Sequence, residues 1–195
     1  MIVIRILAQL FAGVLLILGS IFLIFLVFLS AIDTGVFGLF RQSRIGKNAK
    51  PFTLYKLRTI HPKTQKISPI GRWFRKYKLD ELPQLINILN GTMSFVGPRP
   101  DIPGYADELE RENRIILKLK PGVTGLASLK YRNEEQLLAT QQNPKEYNDN
   151  VIWPDKVRIN KWYAENQTFL MDLKILFYTF VPVSFDVELF MKHYK

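Results

Sequence analysis

Residues 6–32 read ILAQLFAGVLLILGSIFLIFLVFLSAI, an apolar run in which Gln9 is the only strongly polar side chain. As an α-helix rising ~1.5 Å per residue, the run reaches ~40 Å, more than the ~30 Å hydrocarbon core of a bilayer. A cleaved signal peptide has a shorter apolar core and a small-residue cleavage site before a polar mature start. Asp33-Thr34-Gly35 offers no such site, so the run is read as a retained membrane helix. Gly19-Ser20, near its middle, marks either a bend or two small residues in a straight helix.

The flanks set the topology. Arg5 precedes the run, whereas Arg41, Arg44, Lys47 and Lys50 follow it, and the positive-inside rule places the body of the protein in the cytoplasm. The 195 residues have room for one compact domain beside the membrane segment. The division expected is a membrane helix over 1–33, a cytoplasmic body over 34–183 and a tail over 184–195. Cysteine is absent, which excludes disulfides and thiolate metal sites. The net charge of +10 calls for anionic partners such as phospholipid, nucleotide or nucleic acid.

Charge is unevenly spread. Between Asp33 and Asp80 there is no acidic residue but there are twelve Lys and Arg, and the drought ends in the pair Asp80-Glu81. Cations can hold phosphates, and a carboxylate beside them can attack phosphorus or bind a divalent metal. The alternative for Asp80 is structural: an N-cap for a helix whose stripe is Leu82, Leu85, Ile86 and Leu89, ending at Asn90-Gly91. The two roles are compatible, since a helix N-terminus favours an ionised carboxylate and a nearby phosphate.

Around this pair the elements are short. Residues 34–40 and 51–57 read as extended pieces. Residues 68–78 read as a helix opening at Ser68-Pro69, with Trp73, Phe74 and Tyr77 on one face and Arg72, Arg75, Lys76 and Lys78 around it. That face suits either an anionic membrane surface or a core. Gly97-Pro98-Arg99-Pro100 holds an arginine between two fixed-φ prolines, a setting for bidentate phosphate binding if it is not merely solvated. Residues 105–118 read as a charged amphipathic helix, and Pro121-Gly122-Val123-Thr124-Gly125 as a turn into a strand carrying Lys130-Tyr131-Arg132. Residues 133–150 are polar with little apolar periodicity, a surface excursion or substrate-facing loop. Residues 169–183 suit an interfacial or buried helix ended by Pro182, too short and too charged at Asp172 and Lys174 to span.

Six segments together resemble the small monotopic phosphoglycosyl transferases of the bacterial sugar transferase family. They are Arg41-Gln42-Ser43-Arg44-Ile45-Gly46, Phe52-Thr53-Leu54-Tyr55-Lys56-Leu57-Arg58-Thr59, Lys78-Leu79-Asp80-Glu81-Leu82-Pro83-Gln84, Met93-Ser94-Phe95-Val96-Gly97-Pro98-Arg99-Pro100, Lys120-Pro121-Gly122-Val123-Thr124-Gly125 and Phe169-Leu170-Met171-Asp172-Leu173-Lys174. They occur in the family's order and cover nearly the whole chain. The resemblance implies transfer of a phospho-sugar from a UDP-sugar to polyprenyl phosphate, usually undecaprenyl phosphate, with release of UMP. It also implies a covalent aspartyl phospho-sugar intermediate and Mg2+, and so an enzyme that initiates bacterial glycoconjugate or polysaccharide assembly at the inner membrane.

Residue by residue, the resemblance implies Asp80 as nucleophile and Glu81 as metal ligand or acid/base, with Asp80 and Glu81 together holding the metal. Lys56, Arg58, Arg99 and Arg132 become phosphate- or substrate-binding candidates, and Asp172 either supports the fold or belongs to the site. The fold implied is α/β, mainly helical and monotopic, with a re-entrant N-terminal membrane helix, interfacial amphipathic helices and a small sheet. The chain departs from the family pattern in having no proline before Pro51, where relatives break the membrane helix at Ser-Pro. It also departs over residues 128–133 and at Asn160. The competing reading is a non-catalytic basic membrane-surface protein that binds anionic lipid or a glycan-assembly partner. A nucleic-acid module is disfavoured by the apolar N-terminal run and the lack of a binding motif. Dimerisation is compatible with the sequence, but no feature calls for it.

Overall fold

A computed structural model describes residues 2–181 and 185–194. The chain divides into two compact units, one of residues Met1–Ile45 and Pro51–Ser94, the other of Gly46–Lys50 and Phe95–Lys195.

The first unit is built on α1 (Ile2–Thr34), one unbroken helix that runs through Gly19-Ser20. At ~1.5 Å per residue it is ~50 Å long. It is long and apolar enough to cross a membrane over Ile6–Thr34. Its two faces differ. Leu7, Leu10, Val14, Ile17, Leu18, Ile21, Phe25, Phe28 and Ile32 are exposed, whereas Ala12, Leu26, Ser30 and Thr34 are buried. Such a stripe recurs at three- and four-residue steps because those residues share one helix face.

Strands β1 (Leu39–Ile45) and β2 (Pro51–Leu57) form an antiparallel hairpin in which Leu39 faces Leu57 and Ile45 faces Pro51. The hairpin comes close to α1 at Gly38, where a Cβ would lie 2.0 Å from the Val27 carbonyl oxygen. The Ser30 hydroxyl donates to the carbonyls of Gly38 (3.1 Å) and Arg58 (2.7 Å), which satisfies polar backbone against an apolar helix. Helix α2 (Pro69–Lys76) opens as expected at Ser68, whose hydroxyl accepts from the Gly71 amide. Asp33 at the end of α1 accepts from the same amide at 3.2 Å. The aromatic face splits: Phe74 is fully buried with Leu26 and Leu57, while Trp73 and Tyr77 are about half exposed. Helix α3 (Gln84–Leu89) then packs against α1. The Gln9 side chain donates to the Leu89 carbonyl at 2.9 Å, and Gly13 faces the Leu89 side chain.

The second unit holds a two-stranded pair, β3 (Ser94–Val96) with β4 (Gly122–Thr124), and helices α4 (Leu126–Lys130), α5 (Glu134–Ala139), α6 (Pro144–Tyr147), α7 (Trp153–Asn166), α8 (Phe169–Phe180) and α9 (Val187–His193). Its core joins Leu126 and Leu129 to Ile159, Trp162, Tyr163, Met171, Ile175, Val187, Phe190 and Met191. Two expectations are corrected. The strand expected to carry Lys130 is helix α4, because Leu126, Ala127 and Leu129 are buried together and only helical spacing puts them on one face. The helix expected over 105–118 is instead two 3-10 segments, Ala106–Glu108 and Arg111–Lys118. Residues 133–150 are short helices and a π-helical turn, Asn148–Ile152, and stay largely exposed. The expected tail contains α9, whose Val187, Phe190 and Met191 enter the core. Pro182, the expected end of α8, lies outside the described residues.

Ion pairs tie α4, α7 and α9 together. Lys130 meets Asp155 (2.7 Å) and Glu188 (3.0 Å), Arg158 pairs with both carboxylates, and the Tyr131 hydroxyl donates to Asp155 at 2.7 Å. Such a network holds α9 in place more firmly than isolated surface pairs would.

Candidate active site

The acidic pair stands in a 3-10 turn, Leu79–Glu81, between α2 and α3. Lys78 leads into this turn with left-handed backbone angles (φ 56°, ψ 20°), a conformation uncommon outside glycine and typical of turns over-determined by their surroundings. Asp80 does not cap α3. Pro83 occupies that position, and the helix has no side-chain cap. Leu79 and Leu82 on either side of the pair pack on the Leu26, Leu57 and Phe74 cluster, which pins the turn and leaves Asp80 8% and Glu81 9% exposed.

One carboxylate is paired with a neighbouring strand, and the other has an oxygen without a partner. Lys56, from β2, places Nζ 3.3 Å from Glu81 Oε1. Asp80 Oδ1 is buried and accepts no hydrogen bond. Burial raises the Asp80 carboxyl above its usual range, the neighbouring Glu81 charge adds to this, and the Lys56, Lys78 and Arg75 cations oppose it. Arg75 and Lys78 are the two side chains that the sequence reading left out of the site. Helical spacing puts them on an outer face, and nothing in that spacing signals the left-handed turn at Lys78.

The pair supplies hard oxygen donors, one of them an orphaned buried atom. That chemistry fits Mg2+, which is commonly held by one or two carboxylates with water and substrate phosphates completing the shell. Among the described residues there is no cluster of three His, Cys, Asp or Glu, so the dyad would furnish only part of the coordination.

Arg58 directly follows β2 and is engaged elsewhere. Its Nε donates to the Phe37 carbonyl at 3.1 Å and its guanidinium lies over the Phe40 ring at 5.3 Å. Arg75 Nε donates to Thr59 Oγ1 at 3.0 Å.

In the second unit, two sequence motifs dock on each other. The Gly97 amide donates to the Thr124 carbonyl and the Gly122 amide to the Pro98 carbonyl, each at 2.9 Å. The approach is so close that a Cβ on Gly122 would lie 2.2 Å from Gly97 N, and one on Gly125 would lie 2.1 Å from Gly97 O. Glycine is therefore required at both positions. The result presents Arg99 exposed between buried Pro98 and Pro100. Arg132 is turned to the end of α8, donating to the carbonyls of Tyr178 and Thr179, where a cation meets the negative end of the helix. The Thr179 hydroxyl is in turn 2.8 Å from that of Thr124. Asp172 accepts from the Tyr163 hydroxyl at 2.5 Å. Burial pushes its carboxyl up to about 6 despite that bond, and the Tyr163 phenol is raised as well. Asp172 thus ties α7 to α8 within the core. Ser128 Oγ is buried without a partner, and Asn160 is buried on α7.

EpsL, an uncharacterized sugar transferase of Bacillus subtilis, is 34% identical over 167 residues, taking in 80% of this chain and 75% of EpsL. The undecaprenyl-phosphate galactose phosphotransferase of Salmonella typhimurium is 32% identical over 194 residues, 84% of this chain and 37% of that protein. The UDP-glucose:undecaprenyl-phosphate glucose-1-phosphate transferase of Klebsiella pneumoniae is 33% identical over 174 residues, 80% of this chain and 35% of that protein. The chain thus spans most of the first relative and little more than a third of the other two. The sequence pattern of the family described as bacterial sugar transferase matches residues 1–186, and the chain belongs to that family.

Proposed function

We propose that the protein is a phosphoglycosyl transferase. It moves a sugar phosphate from a UDP-sugar to a polyprenyl phosphate such as undecaprenyl phosphate, at the cytoplasmic face of the bacterial inner membrane, as the first step of glycan assembly. The observation that carries this reading is the buried Asp80 Oδ1, which accepts no hydrogen bond yet stands in the field of Lys56, Lys78 and Arg75. A structural carboxylate would accept hydrogen bonds; one kept bare beside cations is suited to attack a phosphorus.

In the first step an Asp80 oxygen attacks the sugar-side phosphorus, and the bond from that phosphorus to the bridging oxygen breaks. UMP leaves with the bridging oxygen. In the second step an oxygen of the lipid phosphate attacks the same phosphorus and the Asp80 carboxylate is released. The products are a polyprenyl diphosphate sugar and free enzyme. Lys56 holds phosphate oxygens beside the acidic pair, and Arg58 is a further phosphate-binding candidate in the same unit. In the second unit Arg99 and Arg132 are candidates for the same role. Because Asp80 is buried, the diphosphate reaches it only with local rearrangement of the acidic turn. Mg2+ held by Asp80 and Glu81 would neutralise diphosphate charge that otherwise repels an anionic nucleophile.

In this reading α1 anchors the protein in the membrane as one continuous helix, without the turn back at Gly19-Ser20 that re-entry would need. Gln9 and Gly13 near its start meet α3, just as Ser30 near its end meets the hairpin, so the helix is accompanied by the body along its length. Its exposed stripe faces lipid, and Phe169, Leu170, Leu173, Phe177 and Phe180 of α8 offer a second apolar face to the interface with anionic lipid.

Asp80→Asn tests the chemistry. UMP release from UDP-sugar and undecaprenyl phosphate should fall to background with membrane association intact. Incubation of the wild type with UDP-sugar alone should add a sugar phosphate mass to the Asp80 peptide; undiminished turnover by Asp80→Asn would refute the assignment.

A further inference from the structure

The strongest unassigned feature near the acidic turn is the side chain of Asn87 on α3, a polar group 2% exposed. Its amide nitrogen donates to the Thr53 carbonyl at 2.7 Å, and its amide oxygen accepts from the Tyr55 backbone N–H at 3.1 Å. Thr53 and Tyr55 alternate along β2, so these two backbone groups point to the edge of the strand that β1 does not cover. A neighbouring strand would engage that edge through the same donor and acceptor. One side-chain amide here takes the place of a third strand.

The grip is secured from behind. Asn87 Nδ2 also reaches Thr92 Oγ1 at 3.3 Å, the Thr92 hydroxyl donates to the Asn87 carbonyl at 3.0 Å, and the Thr92 and Met93 amides donate to that carbonyl at 3.0 and 3.1 Å. The loop after α3 therefore fixes the residue that fixes the strand. Lys56 immediately follows Tyr55, and Glu81 stands three residues before the first residue of α3.

We propose that Asn87 is a positioning residue: by clamping the free edge of β2 to α3, it sets the reach of Lys56 to the acidic turn. This rests on the proposed transferase reaction for its kinetic consequence, but not for its geometric one. A side-chain amide suits the task because it offers one donor and one acceptor in a plane, and a carboxylate of the same shape would place an oxygen against the Thr53 carbonyl.

The test uses full-length protein in membranes or nanodiscs. Lys56 is 19% exposed and paired, so an amine-reactive ester should acylate it slowly relative to the exposed Lys63. In Asn87→Ala and Asn87→Asp that ratio, read by peptide mass spectrometry, should rise several-fold. The milder Thr92→Val should raise it less, and it serves as the deciding variant if the Asn87 variants do not fold. In UMP release, Asn87→Ala should lower kcat by about 10- to 100-fold, the range expected of ~1 Å misplacements. Combined with Lys56→Met, it should add little to the loss from Lys56→Met alone. Unchanged Lys56 acylation in folded variants, or rate losses that multiply in the double variant, would overturn the proposal. A wild type that acylates as described but releases no UMP would sink the transferase reading and leave the clamp standing.

Discussion

Lys56 of the hairpin and Glu81 of the turn approach to 3.3 Å with both side chains mostly shielded from water. A shielded pair of this kind differs from a surface salt bridge, because removing one partner leaves a charge that the surroundings no longer compensate. Glu81 stands beside an Asp80 whose carboxyl is already raised by burial and by Glu81 itself.

Lys56→Met should therefore move the acid limb of the pH profile for kcat/KM to higher pH. Lys56 is among the cations holding the Asp80 carboxyl down, so its loss lets that carboxyl rise further and keeps it protonated over a wider range. UMP release measured from pH 5 to 9 should show the shift, together with a drop of at least about tenfold near neutrality. An unmoved acid limb would show that Lys56 does not act on the nucleophile.

Lys78 carries a backbone conformation that favours glycine. Lys78→Gly and Lys78→Ala remove the same charge, but only the first relieves the left-handed strain. The glycine variant should be more stable than the alanine variant by about 1 kcal/mol in thermal or denaturant unfolding. Equal stabilities would mean that the turn relaxes in the variants. Both should be slower than wild type in UMP release, since both lose a cation facing Asp80.

Asp172 offers a test that bears on the second unit alone. Its carboxyl is raised to about 6 in the folded protein, so folding favours its protonated form. The stability this contributes is full at low pH, below the usual carboxylate range, and is lost as pH rises through 6. Asp172→Asn keeps an acceptor for the Tyr163 hydroxyl without the charge. Its melting temperature should match wild type near pH 4 and exceed it at pH 8, and a variant less stable at pH 8 would contradict this account.

What was legible in the sequence followed its periodicities and its punctuation. The apolar run announced α1 and Ser68-Pro69 the start of α2, and β2 fell on the extended piece 51–57, whereas β1 lies at 39–45 and not at 34–40 because α1 runs on to Thr34. The acidic pair was found by its isolation in a basic stretch. Less legible was anything decided by contact across long separations. Phe74 looked like a partner of Trp73 and Tyr77, but tertiary packing drew it alone into the cluster with Leu26 and Leu57. Residues 126–130 read as strand after a turn, yet burial of Leu126, Ala127 and Leu129 made them helical. Arg58 and Arg132 donate to backbone carbonyls distant in sequence, contacts that nothing local signals. Lys78 carries no local mark of its left-handed turn, and the clamp of Asn87 on β2 joins residues 34 positions apart in sequence.

The burial of Leu26 with Leu57 and Phe74, and the hydroxyl of Ser30 on two carbonyls of the hairpin, make α1 more than a tether. A shortened form begun after Thr34 to gain a soluble enzyme would strip one wall from the very cluster on which Leu79 and Leu82 rest. Such trimming would loosen the acidic turn instead of liberating it, and any handling of the protein in solution has to supply a lipid or detergent surrogate with α1 still attached.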